Sequence, residues 1–215
     1  MSDKFCIVVP KGRILNDLTP VLKKIGLEPE AEFYNDDTRK LEFSTNIKDT
    51  FIIRVRSFDV PTFVAYGAAQ VGVAGNDVLE EFDYSEVYSP LDLKIGKCRL
   101  SVAELGDLAK EDNPESWSNI RVATKYPNLT KKHFAKRGVQ AECIKLNGAM
   151  ELAPKLGLCR RIVDLVSSGQ TLRENGLVEV EKVMDVSSRL IVNRTAYKTR
   201  NDEISEWIEK FNTAI

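Results

Sequence analysis

Histidine is almost absent from this sequence, because His133 is the only one among 215 residues. It lies in LTKKHFAKRG, a segment whose charges are typical of a solvated basic helix. A zinc site or a Ser-His-Asp triad would need histidine elsewhere in the chain. The composition therefore argues against both kinds of chemistry, and no metal-ligating residue is predicted.

Long apolar runs and a strong charge of one sign are also missing. No stretch approaches the ~20 apolar residues of a membrane span, and the start, MSDKFCIVVP, reaches a strand-like segment without an apolar signal region. The net charge of −1 offers no overall attraction to a nucleic acid. These absences predict a cytoplasmic protein that binds neither membrane nor nucleic acid.

Cysteine is sparse and unclustered. Cys6, Cys98, Cys143 and Cys159 lie far apart, each beside strand-like apolar residues and without CxxC spacing. This pattern is typical of buried reduced thiols rather than a metal or redox site.

Strand-like and helix-like segments alternate along the chain, which predicts an α/β fold. FCIVVP (5–10) reads as a buried strand before a helix near 14–25, and LEFST (41–45) with TFIIRVR (50–56) reads as a hairpin. Further strands are predicted at 70–75, 98–105, 120–126, 141–147 and 161–166, and further helices near 60–66, 76–82, 128–137, 148–156, 169–175 and 200–213. The acidic stretch 106–119 is predicted to be a loop. Two comparable series indicate two lobes with a cleft, the place where small ligands usually bind.

Basic residues concentrate where strands of the first series end. Lys11 and Arg13 flank the start of a helix, where the dipole favours anions, so they indicate either an anion site or a solvated basic turn. Strand alternation puts Arg54 and Arg56 on one face, which is either a wet edge or a fork for pyrophosphate. Arg39, just before LEFST, is by itself an ordinary polar turn residue.

The stretch DLVSSGQTL (164–172) joins a strand to a helix. Serine and threonine there are good helix N-caps, but exposed amides and hydroxyls around a glycine also form a seat for phosphate. Asp164 needs a partner for its carboxylate, either a structural hydrogen bond or ribose hydroxyls. Glu151, placed in the first turn of NGAMELAPKLG, is by itself a surface acid favoured by the helix dipole.

Taken together, these segments resemble the short form of ATP phosphoribosyltransferase along nearly the whole chain. The resemblance rests on PKGRI (10–14), RKLEF (39–43), DVPTFVAYGAA (59–69), VGVAGNDVL (71–79), LDLKIGKCRL (91–100), RVATKYPNLT (121–130), KLNGAMELAP (145–154), VDLVSSGQTLRENGL (163–177) and DVSSRLIVN (185–193). The most specific part runs from Glu151 through Gly157 and Asp164 to Leu172. Departures occur at Gln70, where the family commonly has Asp, and at Cys159 and Arg160, where it usually has a small residue followed by an acid.

The resemblance implies a two-lobed, periplasmic-binding-protein-like (type II) fold with a central cleft and no C-terminal regulatory domain. Residues 1–91 plus 188–215 would form lobe one, and residues 92–187 would form lobe two with the loop for the 5-phosphate of phosphoribosyl pyrophosphate. The implied partner is a regulatory subunit related to histidyl-tRNA synthetase, in a hetero-octamer, and self-association of the chain is also implied.

The implied reaction joins phosphoribosyl pyrophosphate to nitrogen 1 of ATP and releases pyrophosphate. Charge on the leaving group or on the ATP phosphates would be neutralised by Lys11 and Arg56, the predicted catalytic residues. The predicted substrate-binding residues are Arg13, Arg39, Glu151, Asp164, Ser167, Ser168, Gly169, Gln170 and Thr171. Mg²⁺ would be carried by the substrate phosphates.

Two other classes share parts of this pattern. A non-catalytic solute-binding module can have the same two-lobed fold, since fold alone does not decide function. An orotate-type phosphoribosyltransferase also has a phosphate turn, but it resembles a different pattern with two adjacent acids before the turn, whereas Asp164 stands alone.

Overall fold

Two compact units make up the chain in the computed structural model, which describes residues 4–215. The first unit extends to Gly96 and resumes over Ser187–Ile215, and the second is Lys97–Val186. Each unit has one mixed β-sheet accompanied by helices, which confirms the α/β class. No helix within residues 4–215 is long and apolar enough to cross a membrane.

The sheet of the first unit has a parallel centre and antiparallel flanks. Its strands are β1 (Phe5–Pro10), β2 (Glu42–Ser44), β3 (Thr50–Val55), β4 (Val71–Gly75), β5 (Val87–Asp92) and β11 (Ser188–Asn193). They lie in the order β2-β3-β1-β4-β11-β5, with β3, β1 and β4 parallel. The helices are α1 (Arg13–Lys24), α2 (Val60–Ala65), α3 (Asn76–Phe82), α8 (Arg194–Thr199) and α9 (Asn201–Ala214).

Strand β1 lies in the middle of this unit and is buried on both faces. Its continuous apolar sequence is what a central parallel strand requires. One face carries Phe5, on which the Trp207 ring of α9 stacks with centroids 5.6 Å apart. The other face carries Cys6 and Val8, which pack against α2. The last helix of the chain therefore belongs to the first unit's core.

The second unit has a five-stranded sheet in the order β10-β6-β9-β7-β8. Its strands are β6 (Cys98–Leu105), β7 (Asn119–Thr124), β8 (Gln140–Lys145), β9 (Arg161–Val166) and β10 (Leu177–Val186). Strands β9, β7 and β8 are parallel, whereas β6 runs antiparallel to both β9 and β10. Its helices are α4 (Gly106–Ala109), α5 (Pro127–Ala135), α6 (Leu152–Lys155) and α7 (Gln170–Glu174).

Several local expectations are corrected. Strand β5 is an additional edge strand that the sequence pattern did not predict, and the stretch expected to be a loop contains α4 and a 3-10 turn, Pro114–Ser116. Helix α6 begins only at Leu152, so Glu151 is the residue before the helix and not part of its first turn. None of the four cysteines forms a disulfide, as expected, but only Cys6 is buried.

Arg54 is an internal residue and not one arm of a pyrophosphate fork. It is 2% exposed. Its guanidinium donates to the carbonyls of Phe33 (2.6 Å) and Asn35 (2.8 Å), which belong to the turn around Ala31–Tyr34. Neither alternative, the wet edge or the pyrophosphate fork, applies to Arg54, because its guanidinium holds this turn against β3.

We expect Arg54→Met to lower the free energy of unfolding by about 2–4 kcal/mol, because one buried and one partly buried carbonyl lose a charged donor. Urea unfolding measures the change. Arg56→Met is the matched control, since Arg56 is exposed, and it should shift stability by less than about 0.5 kcal/mol. Equal losses in the two variants would contradict an internal role for Arg54.

Candidate active site

Basic side chains gather at the edge of the first sheet where its parallel strands end. Lys11 follows β1, and its backbone N–H donates to the carbonyl of Val55, the last residue of β3, at 2.8 Å. The register pairs Pro10 with Val55, so the next residues, Lys11 and Arg56, lie side by side.

Two more arginines reach the same edge from other elements. Strand β2 runs antiparallel to β3 with Glu42 opposite Ile53. Continuing that register toward the start of β2 brings Arg39 level with Arg56. Arg13 is the first residue of α1, directly after β1. We call the set Lys11, Arg13, Arg39 and Arg56 the cation edge.

The cation edge carries charge that the protein does not neutralise. All four side chains are exposed, and none has an ion-pair partner among residues 4–215. By contrast, Arg161 in the second unit is paired with two carboxylates. Like charges repel, and exposed cations can be placed far from one another at little cost. Four unpaired cations at one edge of the sheet therefore indicate a binding site for a polyanion.

The start of α1 adds to this electrostatic preference for an anion. The first turn contains no acidic residue and no side chain caps it. Gly12, the N-cap residue, has φ 86° and ψ −147°, a conformation that side-chain-bearing residues rarely adopt. The chain can therefore turn sharply from β1 into α1 and leave the first amides of the helix open to a ligand.

In the second unit, the expected phosphate residues form a tight turn between β9 and α7. We call residues 167–171, which comprise this turn and the first two residues of α7, the β9–α7 loop. Gly169 has φ 74°, in the left-handed region that favours glycine. The Ser168 hydroxyl accepts from the Gln170 N–H at 3.3 Å. The side chain of Gln170 donates to Glu174 (2.7 Å) and so lies along the helix.

The hydroxyls of the loop are open to solvent. Ser167, Ser168, Gln170 and Thr171 are exposed, and Gly169 is half-buried. No acidic residue lies in the first turn of α7. The loop therefore has hydroxyl and amide donors in one place without a carboxylate to oppose a phosphate.

Asp164 lies on β9, close to this loop, in an unusual electrostatic environment. Burial raises the pKa of its carboxyl to about 6, against the 3.8 of an ordinary aspartate. The Leu165 N–H, which donates to it at 2.8 Å, and the Lys125 ammonium lower the pKa, whereas Glu151 raises it. Glu151 and Asp164, predicted from separate segments, are thus close enough to interact.

Lys125 is a residue that the sequence pattern did not single out. Strand β7 pairs with β9 so that Thr124 lies opposite Val163, which places the next residue, Lys125, level with Asp164. The Lys125 ammonium is close enough to lower the pKa of the Asp164 carboxyl. Arg99 and Arg173, which contact the loop carbonyls, were also missed. Only knowledge of strand pairing could have revealed Arg99 and Lys125.

His133 has a structural role, on a helix whose Lys131 and Lys132 are exposed as expected. Its ring nitrogen lies 2.9 Å from a carboxylate oxygen of Glu181, and Arg137 lies 2.9 Å from the other oxygen. The contact ties α5 to β10. Within the described part of the chain, no group of three or more His, Cys, Asp or Glu side chains is arranged to hold a metal ion.

The unusual residues at 70 and 160 each lie away from the candidate cluster of their own unit. Gln70 precedes β4, and its side-chain oxygen accepts from the Cys6 N–H at 2.7 Å, at the sheet edge opposite the cation edge. Arg160 precedes β9 and pairs with the buried Glu104 and with Asp112. Its distance from the β9–α7 loop is the length of a six-residue strand, about 20 Å.

Comparison with known proteins gives consistent matches over almost the full chain. A family model described as ATP phosphoribosyltransferase matches residues 56–213. The ATP phosphoribosyltransferase of Rhodospirillum rubrum is 65% identical over 213 residues, covering 99% of this chain and 94% of that protein. The one of Rhizorhabdus wittichii is 60% identical over 215 residues, covering 100% of this chain and 97% of that protein.

A solved structure is similar as well. A chain of the ATP phosphoribosyl transferase (HisG:HisZ) complex from Thermotoga maritima superposes with a TM-score of 0.81 at 30% sequence identity. The match covers 98% of each chain.

The raised pKa of Asp164 makes stability depend on pH. Between pH 4 and 6 the folded protein keeps a proton that the unfolded chain has already lost, so ionisation of Asp164 lowers stability as pH rises. Asp164→Asn removes this pH-dependent loss of stability, and its side-chain oxygen can still accept from the Leu165 N–H. Relative to wild type, the variant should gain ~1–3 kcal/mol between pH 4.5 and pH 8.

Urea unfolding at the two pH values provides the measurement. Asp107→Asn is the control, because the Asp107 side chain is 98% exposed. A stability difference between Asp164→Asn and wild type that does not change with pH would contradict the raised pKa.

Proposed function

Because the chain belongs to the ATP phosphoribosyltransferase family, we propose that its two clusters divide the charge of the substrates, with the cation edge acting on pyrophosphate or ATP phosphates and the β9–α7 loop holding the 5-phosphate. The enzyme catalyses the first step of histidine biosynthesis. The anomeric carbon of phosphoribosyl pyrophosphate forms a bond to nitrogen 1 of the ATP adenine, and its bond to pyrophosphate breaks. Family membership decides against the non-catalytic solute-binding alternative and the orotate-type alternative.

The main electrostatic requirement of the reaction is to stabilise the negative charge of the leaving group. As the bond to pyrophosphate breaks, the sugar gains cationic character and negative charge accumulates on the departing oxygens. Fixed cations that already face this position stabilise the transition state without reorganising. The unpaired state of the cation edge is the observation that carries the proposal, since Lys11 and Arg56 have no ion pair with a carboxylate of residues 4–215 that would compete with a phosphate.

The remaining members of the two clusters bind and orient the substrates. Arg13 and Arg39 flank the two catalytic cations. In the second unit, Ser167, Ser168, Gly169, Gln170 and Thr171 surround the phosphate, with Ser168, Gly169 and Thr171 as its main donors. Asp164 and Glu151 are suited to accept hydrogen bonds from the ribose hydroxyls. Alignment of two bound substrates contributes to the rate in addition to the charge stabilisation.

Mg²⁺ enters with the substrates in this proposal. Asp164 and Glu151 interact near the loop, and the raised pKa of Asp164 makes them a poor fit to a separate all-protein metal site. Mg²⁺ commonly keeps few protein ligands and binds phosphate oxygens instead. When bound, it would neutralise part of the pyrophosphate charge. The four free cysteines fit a reducing compartment, and we place the reaction in the cytoplasm.

Arg56→Ala is expected to lower kcat by ~10²–10³-fold, as is typical when one preorganised electrostatic donor is removed. The side chain is exposed, so the unfolding midpoint should stay near that of wild type. Pyrophosphate release at saturating ATP and phosphoribosyl pyrophosphate measures kcat. Arg121→Ala is the control, since Arg121 forms an exposed pair with Glu142 on the other sheet. Unchanged turnover in Arg56→Ala would remove Arg56 from the mechanism and leave Lys11 as the main catalytic cation.

We also propose a regulatory partner, of the histidyl-tRNA-synthetase-like kind, in a hetero-octamer in which this chain also self-associates. The support is the similarity to a catalytic chain that was solved in a HisG:HisZ complex. An effector changes activity only by binding two states of the assembly with different affinity. In this proposal the partner supplies the effector's binding site.

Histidine should therefore inhibit pyrophosphate release only when the partner is present. The assay titrates histidine into the purified chain alone and into the chain with an excess of partner. The expected result is inhibition of the mixture and none of the isolated chain over the same concentrations. Equal inhibition of the isolated chain would mean that it has its own histidine site.

A further inference from the structure

Two arginines hold successive carbonyl groups of the β9–α7 loop. Arg99, on β6, donates through Nη1 to the carbonyl of Ser167 at 3.2 Å. Arg173, on α7, donates through Nη1 to the carbonyl of Ser168 at 3.1 Å. Each guanidinium therefore holds one carbonyl of the loop in a fixed direction.

Arg99 is itself fixed in position by its neighbours. The β6–β9 register places it opposite Val166, the last residue before the loop. Its Nε and Nη2 both donate to the carboxylate of Glu179 on β10, the first at 2.6 Å, and the Ser101 hydroxyl donates to the same carboxylate at 2.8 Å. The hydrogen bonds from Arg99 lower the pKa of Glu179. Arg99 thus connects two strands to the loop with its charge already paired.

The geometry of the peptide group shows which way the next two N–H groups of the loop point. In a planar trans peptide, the carbonyl and the following N–H point in opposite directions. The carbonyl of Ser167 faces Arg99, so the N–H of Ser168 faces away from Arg99. By the same reasoning, the N–H of Gly169 faces away from Arg173. Neither N–H donates to an acceptor among the described residues.

We propose that Arg99 and Arg173 are positioning residues for a phosphate monoester, acting through the β9–α7 loop rather than by direct contact. They direct the N–H groups of Ser168 and Gly169 toward the position of the phosphate. Their positive charges also offset the partial negative charges of two loop carbonyl oxygens. This inference rests on the proposed function of the loop as the seat of the 5-phosphate. Arg99 contributes more than Arg173, because its guanidinium is immobilised by Glu179.

The test separates substrate binding from turnover. Arg99→Ala should raise KM for phosphoribosyl pyrophosphate by ~10-fold or more, as expected when a charged hydrogen bond that orients a site is lost. KM for ATP and kcat should change by less than about two-fold. Arg173→Ala should raise the same KM by a smaller factor. Arg121→Ala is the matched control, because it removes an arginine that pairs across strands of the same sheet far from the loop.

Two further measurements exclude a merely structural effect. Guanidinium chloride at low millimolar concentration should partly restore the KM of Arg99→Ala, whereas sodium chloride should not. Calorimetry with inorganic phosphate as the probe should show weaker binding to Arg99→Ala than to Arg121→Ala. A loss confined to kcat, or one that guanidinium does not restore, would overturn the positioning role. If Arg99→Ala does not fold, Arg173→Ala decides, since Arg173 is exposed, and an unchanged KM in that variant counts against the proposal.

Thr171→Val distinguishes failure of this inference from failure of the phosphate assignment. It removes a loop hydroxyl and leaves both arginines in place. If Thr171→Val raises KM for phosphoribosyl pyrophosphate and Arg99→Ala does not, only the positioning role is wrong. If neither variant changes that KM, the β9–α7 loop is not the phosphate seat.

Discussion

Parallel pairing between neighbouring strands is the constraint on which both candidate clusters depend. In the first unit, β1 and β3 run side by side from Phe5 opposite Thr50 to Pro10 opposite Val55. Residues that follow two parallel strands in the chain must then appear at the same sheet edge. Lys11 and Arg56, 45 positions apart in sequence, become neighbours for this reason alone. A slip of one residue would move one of them toward the core face and separate the charges.

The same constraint organises the second unit with different chemistry. Pairing of β7 with β9 brings Lys125 level with Asp164. The Thr124 hydroxyl donates to the Val163 carbonyl at 2.8 Å, which fixes the register at the point where it matters. Antiparallel β6 then places Arg99 beside the end of β9. The Asp164 carboxylate, Lys125 and Arg99 therefore lie near the loop after β9. They come from three strands or strand ends and are far from one another in the sequence.

Sequence reasoning succeeded where one local pattern determines the outcome. Strands β1, β6 and β9 have the predicted bounds, because each is a short apolar run between strong turn or polar signals. The β2–β3 hairpin was also expected and is observed. The turn at the glycine of the β9–α7 loop could be predicted for the same reason, because a Ser-Ser-Gly stretch between a strand and a helix has few conformations. Strand β5 was missed because YSP in its middle reads as a turn, and an edge strand tolerates Pro90.

The sequence alone did not show which residues far apart in the chain contact each other. Arg54 and Arg56 look equivalent in the sequence, yet one is buried against the carbonyls of a distant turn and the other is exposed. The difference arises because β3 ends at Val55, so Arg54 remains within the sheet. Arg99 reads as one more strand residue until the register shows that it faces the end of β9.

Charge pairing, rather than charge itself, separates structural from functional residues in this chain. The sequence has 31 basic and 32 acidic residues, so its net charge gives no indication of a site. Inside the second unit, Arg161 lies between Glu104 and Asp112, and its guanidinium also packs on the Trp117 ring at 4.0 Å. Such a cation has no capacity left for a ligand, and its removal would leave the buried Glu104 with only the longer contact to Arg160. The cation edge is the opposite case: its side chains are exposed and unpaired within the described chain, and they sit beside an uncapped helix start. The four cations come from three separate segments and have no ion-pair partner among residues 4–215, and this unmet charge supports our proposal that the substrate supplies the counter-charge.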